Sequence, residues 1–176
     1  MRTPADLLEF AKHMEWADAV AWRTVLESDA GRRDERIRTW LHHVHTVQRA
    51  FLQIWKDEKP GFRDLTEFAD PASLAEWGRE GHRHFQAFVA DLAPERLGRE
   101  IRLPWAGEVA RAQKRSPTHA TLGQTVMQVA MHSTHHRGQV NARLREVGGE
   151  PSLTDYIVWV WWGQPDAVWS FLESTS

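Results

Sequence analysis

The sequence predicts an all-α protein, a four-helix bundle. Four long segments carry apolar residues at helical spacing, and each is bounded by residues that typically begin or end helices. The chain has 176 residues without an internal repeat or a linker of biased composition, so we expect one domain over residues 1–176. Four long amphipathic helices in one domain of this length are typical of a bundle.

The first two helices are predicted from their boundaries. Thr3 offers a capping hydroxyl and Pro4 suits the first helical position, so a helix begins there and runs to about Ser28. Gly31 is expected to break the chain, and a second helix follows over about 34–57.

The third helix is predicted by the same capping logic at Asp70 and Pro71. Residues 93–118 then contain several prolines and glycines and are expected to form a long connection. Within it we expect a short hairpin formed by 99–104 and 108–112.

The fourth helix begins at a predicted capping box, TLGQ at 121–124, and runs to Val147. Two glycines, 148–149, are its C-terminal stop. Residues 154–155 are expected to cap a shorter terminal segment, which Pro165 interrupts.

Composition excludes several classes of function. There is no cysteine, which excludes disulfides, thiolate metal sites and a cysteine nucleophile. The net charge is −2 and no Lys/Arg block is present, so we expect no nucleic-acid partner. The longest apolar run, 156–162, is far shorter than the roughly 20 residues of a membrane span. Residues 1–19 lack the apolar region of a signal peptide, so a cytoplasmic protein without membrane association is expected.

Histidines cluster on the fourth helix in the stretch MHSTHHRGQV, 131–140. His132 and His136 are four residues apart, so their imidazoles can converge on one point beside the apolar stripe, as metal ligands on a helix do. His135 lies further round and is expected to face solvent or a neighbouring helix. Ser133 stands where a zincin protease has Glu, and no Glu has a His three residues later as in di-iron bundles. An ordinary hydrogen-bonded histidine pair remains an alternative.

A third ligand would have to come from another helix, and the second helix contains LHHVHTVQRAFLQIW, 41–55. His45 is nearer the main apolar stripe of that helix, whereas His43 shares a second apolar arc. Composition and spacing do not separate these two candidates.

The motif HSTHHRGQVNARLREVGGEPSLTDYI resembles the signature of the DinB/YfiT-like superfamily. The upstream LHHVHTVQRAFL is similar to the second-helix pattern of that family, and EWADA, 15–19, fits its first helix. The resemblance spans nearly the whole chain, and its register places the family histidine on His43.

The resemblance implies a bundle with up-up-down-down connectivity and a divalent metal held by His43, His132 and His136, with His45 as a rival for the first position. Imidazole ligands suit Zn or Ni, with Fe, Mn and Cu as alternatives. Family members with known activity are thiol transferases and isomerases that use low-molecular-weight thiols. The expected function is therefore a metal-dependent thiol S-transferase or hydrolase acting on small molecules, with catalytic residues unassigned. The alternative is a non-catalytic metal- or small-molecule-binding stress-response protein.

Other polar residues are expected to have structural roles. Arg137 is expected to pack or form an ion pair, and Gln139 to support the site rather than bind the metal. Surface or packing roles are expected for four isolated histidines: His13, His82, His84 and His119.

A homodimer is expected from the terminal segment. Trp159, Trp161 and Trp162 place more aromatic surface there than one side of a short helix can hide. Isologous pairing would bury that surface.

Overall fold

The computed structural model describes residues 3–175, which are mostly helical and contain very little sheet. Within these residues the helices are α1 (Pro4–Glu27), α2 (Asp29–Arg33), α3 (Glu35–Trp55), α4 (Pro71–Ala90), α5 (Ala106–Gln113), α6 (Leu122–Glu146) and α7 (Tyr156–Trp161). Two short strands, β1 (Glu100–Ile101) and β2 (Ala120–Thr121), and three 3₁₀ turns, Leu65–Glu67, Pro94–Gly98 and Ser170–Thr175, complete the described chain. The predicted all-α class is confirmed.

Reciprocal capping boxes begin three of the four long helices. In α6, Thr121 Oγ1 accepts from the Gln124 backbone N–H, and the Gln124 side chain accepts from the Thr121 backbone N–H, as the sequence predicts. The same arrangement begins α1 and α4. Each box satisfies backbone donors that the helix leaves without partners, so the polar ends rather than the apolar stripes determine where these helices start.

The sequence predicts a helix break at Gly31, and this prediction is wrong. Gly31 lies within α2, and the breaks fall on either side, at Ser28 and Asp34. A Cβ at position 31 would lie 2.7 Å from the Leu144 Cδ1, so glycine allows this turn to pack against the end of α6.

The hairpin expected from 99–104 and 108–112 is wrong. β1 pairs instead with β2 in antiparallel register, Glu100 opposite Thr121, while 106–113 form the helix α5. The segment AGEVARAQ consists mainly of good helix formers, so it does not supply a returning strand.

The four long helices form a bundle in which α1 and α3 each pack against both α4 and α6. Two clusters of buried apolar residues fill its two ends. One cluster contains the beginnings of α1 and α6 and the ends of α3 and α4: Leu7, Leu122, Trp55 and Val89. The other contains the opposite ends of the same helices: Val25, Leu144, Ile37 and Leu74.

Helix direction follows from these two clusters. α1 and α6 run one way, and α3 and α4 run the other, so the order along the chain is up-down-down-up. The up-up-down-down order implied by the resemblance is therefore wrong for this chain. The physical reason is the short α2 link, which turns the chain back directly after α1, whereas a longer loop separates the parallel α3 and α4.

The terminal segment ends earlier than the position of Pro165 suggests. α7 stops at Trp161, and Gly163 and Gln164 both have positive φ values, 78° and 56°. The Gln164 backbone N–H donates to the Trp159 carbonyl and closes the helix. Among residues 3–175, no helix combines the length and the apolar character that crossing a membrane requires.

Candidate metal centre

Three histidines from two antiparallel helices meet at one point. His43 on α3 faces His132 and His136 on α6. The His132 Nε2 lies 3.2 Å from the His43 Nε2 and 3.1 Å from the His136 Nε2. Helical spacing places His132 and His136 one turn apart on the same face, and the contact between α3 and α6 brings His43 opposite them.

The spacing of these nitrogens fits a metal ion. Ligands about 2.0–2.1 Å from a tetrahedral zinc lie about 3.3 Å from one another, close to the two separations found here. The His136 Nδ1–H donates to the Gln139 Oε1 at 2.6 Å, which leaves the Nε2 lone pair of His136 directed at the centre. Gln139 therefore supports the candidate ligand His136, as expected from the sequence.

The electrostatics of the cluster keep the imidazoles of His43 and His132 neutral. Burial, followed by repulsion from His136 and His43, lowers the pKa of His132 to about 4. Burial, followed by repulsion from His136 and then from His42, also lowers the pKa of His43. At neutral pH both rings consequently hold free lone pairs, the form that binds metals.

The rival His45 is used elsewhere. It is buried, its Nε2 accepts from the Trp22 Nε1–H at 2.8 Å, and its Nδ1–H donates to the Gln48 Oε1 at 2.9 Å. Both ring nitrogens therefore have protein partners. The structure brings His43 to His132 and His136, and it places His45 in a different cluster.

That cluster is a buried polar network centred on Asp18, which the sequence analysis did not identify. The Asp18 carboxylate accepts from Arg137 at 2.6 Å, from His82 at 2.9 Å and from Gln48 at 2.8 Å. Burial by itself raises the pKa of the Asp18 carboxyl, but the Arg137 guanidinium and the His82 N–H hold that pKa well below its ordinary value. The expected ion pair of Arg137 is confirmed by this contact.

Asp18, His45 and His82 also lie close enough together to be considered as metal ligands. Most of their ligand atoms already have hydrogen-bond partners, however, and only the His82 Nδ1 has none. A metal at this position would have to displace Trp22, Gln48 and Arg137 from a closely packed interior. The network is therefore best described as structural.

The network ties α6 to the other three long helices. Arg137 reaches Asp18 on α1, Ser133 accepts from the Gln48 side chain on α3, and Asp18 in turn binds His82 on α4. Ser133 and Arg137 each directly follow a histidine of the metal centre in sequence. The same contacts therefore set the rotation of α6 that turns His132 and His136 towards His43.

Isolated histidines take varied roles. His13 is buried and its Nε2–H donates to the Thr154 carbonyl, while His82 belongs to the buried network rather than to the surface. His119 lies at the surface beside Glu100, and His135 is exposed next to His136. An acid in an apolar stretch, Asp18 between two alanines, is the one sequence signal that pointed to the network.

Comparison with known proteins shows which family the sequence resembles. The profile of the DinB family matches residues 1–167 of the chain. No curated protein matches it.

Proposed function

This chain belongs to the DinB family, and we propose that it binds one divalent metal ion through His43, His132 and His136 and uses it to activate a thiol or a water molecule. The observation that carries the proposal is the convergence of three Nε2 atoms at 3.1 and 3.2 Å. We favour zinc or nickel as the ion, with Fe, Mn and Cu as alternatives, although imidazole ligands suit Zn, Ni, Fe and Cu alike.

The ligands determine what such an ion would do. Three neutral imidazoles leave its positive charge uncompensated, and a bound divalent ion of this kind lowers the pKa of a thiol or water so that a nucleophile is present at neutral pH. His43 lies at the exposed side of the cluster, which leaves room for further ligands there. The chain has no cysteine, so a reacting thiol must arrive as a low-molecular-weight cosubstrate.

We favour thiol S-transfer or hydrolysis of a small molecule in the cytoplasm as the reaction. In S-transfer the thiol loses its proton, its sulfur forms a bond to an electrophilic carbon, and the leaving group departs with the electron pair of the broken bond. In hydrolysis water takes the place of the thiol.

One observation favours the non-catalytic alternative, a metal- or small-molecule-binding stress-response protein. Within residues 3–175, none of the three histidines is hydrogen-bonded to a carboxylate, and Gln139 rather than an acid supports His136. Among the described residues, a carboxylate general acid or base is therefore not hydrogen-bonded to the three histidines.

The activity test compares zinc-loaded and metal-free protein with a thiol such as 2-mercaptoethanol and the electrophile 1-chloro-2,4-dinitrobenzene, and separately with a p-nitrophenyl ester. We expect a rate that falls by at least about a hundredfold on metal removal or in His132→Ala. His135→Ala should keep the wild-type rate because this exposed residue is not a ligand. Equal rates in all four proteins would reject the enzyme and leave the binding protein.

We also propose a homodimer formed through the α7 region. Trp161 and Trp162 are 74% and 62% exposed, and Ile157 on the same helix is also exposed. Burying such a patch against its copy would stabilise the association. Sedimentation at micromolar concentration should show a dimer that Trp161→Glu dissociates and Val109→Glu, at a distant exposed site, does not. A wild-type monomer would contradict the proposal.

A further inference from the structure

A large cavity adjoins the candidate metal centre. It measures about 1050 Å³ and lies between α3, α6 and the segment from β1 to β2. His43 and His132 form part of its wall, so the cavity and the three-histidine cluster are continuous. Its volume is at the upper end of the range that holds drug-sized ligands.

The wall of this cavity is mainly apolar. Phe51 and Trp105 meet edge to face, with ring centroids 5.3 Å apart, and Val47, Ile101 and Leu103 extend the apolar surface. Among the described residues that line it, none is a carboxylate and the single guanidinium is that of Arg102. A ligand carrying several charges would lose its water along this wall, most of whose surface offers it no polar partner.

Two exposed apolar side chains mark the mouth. Phe62, in the loop after α3, is 66% exposed, and Val109, on α5, is 55% exposed. They come from separate parts of the chain and both line this one cavity. A ligand with an apolar body would cover both, whereas a small polar thiol would leave them in water.

We propose that this cavity binds an apolar, largely uncharged aromatic small molecule, whose reactive end is directed at His43 and His132. The orientation of the ligand in the cavity rests on the proposed function, because the proposed function places the metal-activated nucleophile at the histidine end of the cavity. The apolar class of the ligand rests on the cavity wall alone. The substrate class of the site is therefore a hydrophobic electrophile or thiol rather than a polar, multiply charged one.

The first experiment measures the binding of an apolar ligand to the cavity in the absence of metal. The uncharged fluorophore N-phenyl-1-naphthylamine is titrated into metal-free protein, and its emission should rise and saturate with one site per chain. Changing both Phe62→Ser and Val109→Ser should weaken binding by about tenfold or more, because each removes apolar contact area. Leu153→Ser, at an exposed leucine outside this cavity, should leave the affinity unchanged. No saturable binding, or an equal loss in the Leu153 variant, would overturn the proposal.

The second experiment tests the direction of the ligand. Benzyl mercaptan should displace the fluorophore from zinc-loaded protein at a concentration at least about tenfold lower than from metal-free protein, because its sulfur reaches the ion while its ring fills the cavity. 2-Mercaptoethanol, without the ring, should need a higher concentration. Equal displacement with and without zinc would show that the cavity and the histidines are separate sites.

The two proposals can fail separately. Protein that binds the fluorophore but no zinc would refute the metal-dependent function and keep the apolar cavity. Protein that binds one zinc through the three histidines but no fluorophore would refute the cavity proposal alone.

Discussion

Replacing His132 or His136 by alanine is expected to lower the affinity for zinc by more than about a hundredfold, since changes to residues that only support metal ligands already cost about 10- to 100-fold. His132 stands at the centre of the cluster, with its Nε2 within 3.2 Å of the Nε2 atoms of both His43 and His136. Its loss therefore removes the nitrogen that lies next to both other candidate ligands. Metal content after dialysis and competition with a chromogenic chelator measure the effect.

The matched control for this prediction is His135→Ala. His135 is on the same helix, adjacent to His136, but it is exposed and does not belong to the three histidines whose ring nitrogens converge. His43→Ala should behave like His132→Ala. Unchanged zinc stoichiometry in the His132 and His136 variants, or loss of zinc in the His135 variant, would refute the assigned ligands.

Acidification should release the metal from the wild-type protein. Proton and metal compete for the same Nε2 lone pairs, so affinity falls as the pH drops towards the lowered pKa values of the ligands, about 4 for His132. The lowered pKa values of His43 and His132 help to retain the metal in mildly acidic solution.

Asp18→Ala is expected to lower the free energy of unfolding by about 3–5 kcal/mol, because it leaves the guanidinium of Arg137 buried without its counter-ion. The Arg137 and Asp18 side chains are only 2% and 1% exposed. The change also removes an acceptor from His82 and Gln48. Urea denaturation followed by tryptophan fluorescence measures the loss.

The control is Glu80→Ala, which breaks the ion pair of Glu80 with Arg49 at the protein surface, where Glu80 is 46% exposed. Such exposed pairs contribute at most about 1 kcal/mol. A loss in Asp18→Ala no larger than in Glu80→Ala would contradict a structural role for the buried network. Asp18→Leu combined with Arg137→Met should recover part of the stability, since it removes both buried charges.

The helices and the pairing of two candidate ligands on α6 could be predicted from the sequence because the determining interactions are local. The capping boxes at Thr3, Asp70 and Thr121 act within three residues. The four-residue spacing of His132 and His136 likewise needs only the geometry of one helix.

The register of the resemblance placed the ligand on His43, whereas periodicity favoured His45, so the choice between them needed the tertiary structure. Periodicity placed His45 nearer the main apolar stripe of α3, and that position is why it is buried against Trp22 and hydrogen-bonded on both nitrogens. Proximity to the core therefore counted against it as a ligand. His43, on the flank of the stripe, is free to face α6.

Long-range pairings could not be predicted from the chain alone. β1 pairs with β2 across α5, so the nearer segment that was expected to form the hairpin is bypassed. Asp18, His82 and Arg137 lie far apart in the sequence and meet only because α1, α4 and α6 share one interior. The direction of α3 and α4 likewise depends on which ends pack into the same apolar cluster.

The sequence by itself determined the helical class, the starts of the long helices and the histidine pair of α6, because hydrogen bonding and side-chain periodicity within one helix decide these features. Only the tertiary structure decided that His43 completes the cluster, that Asp18 holds α6 in place and that an apolar cavity opens beside the histidines. These features depend on the rotation and direction of whole helices against one another, which the packing of the shared core determines and no local pattern encodes.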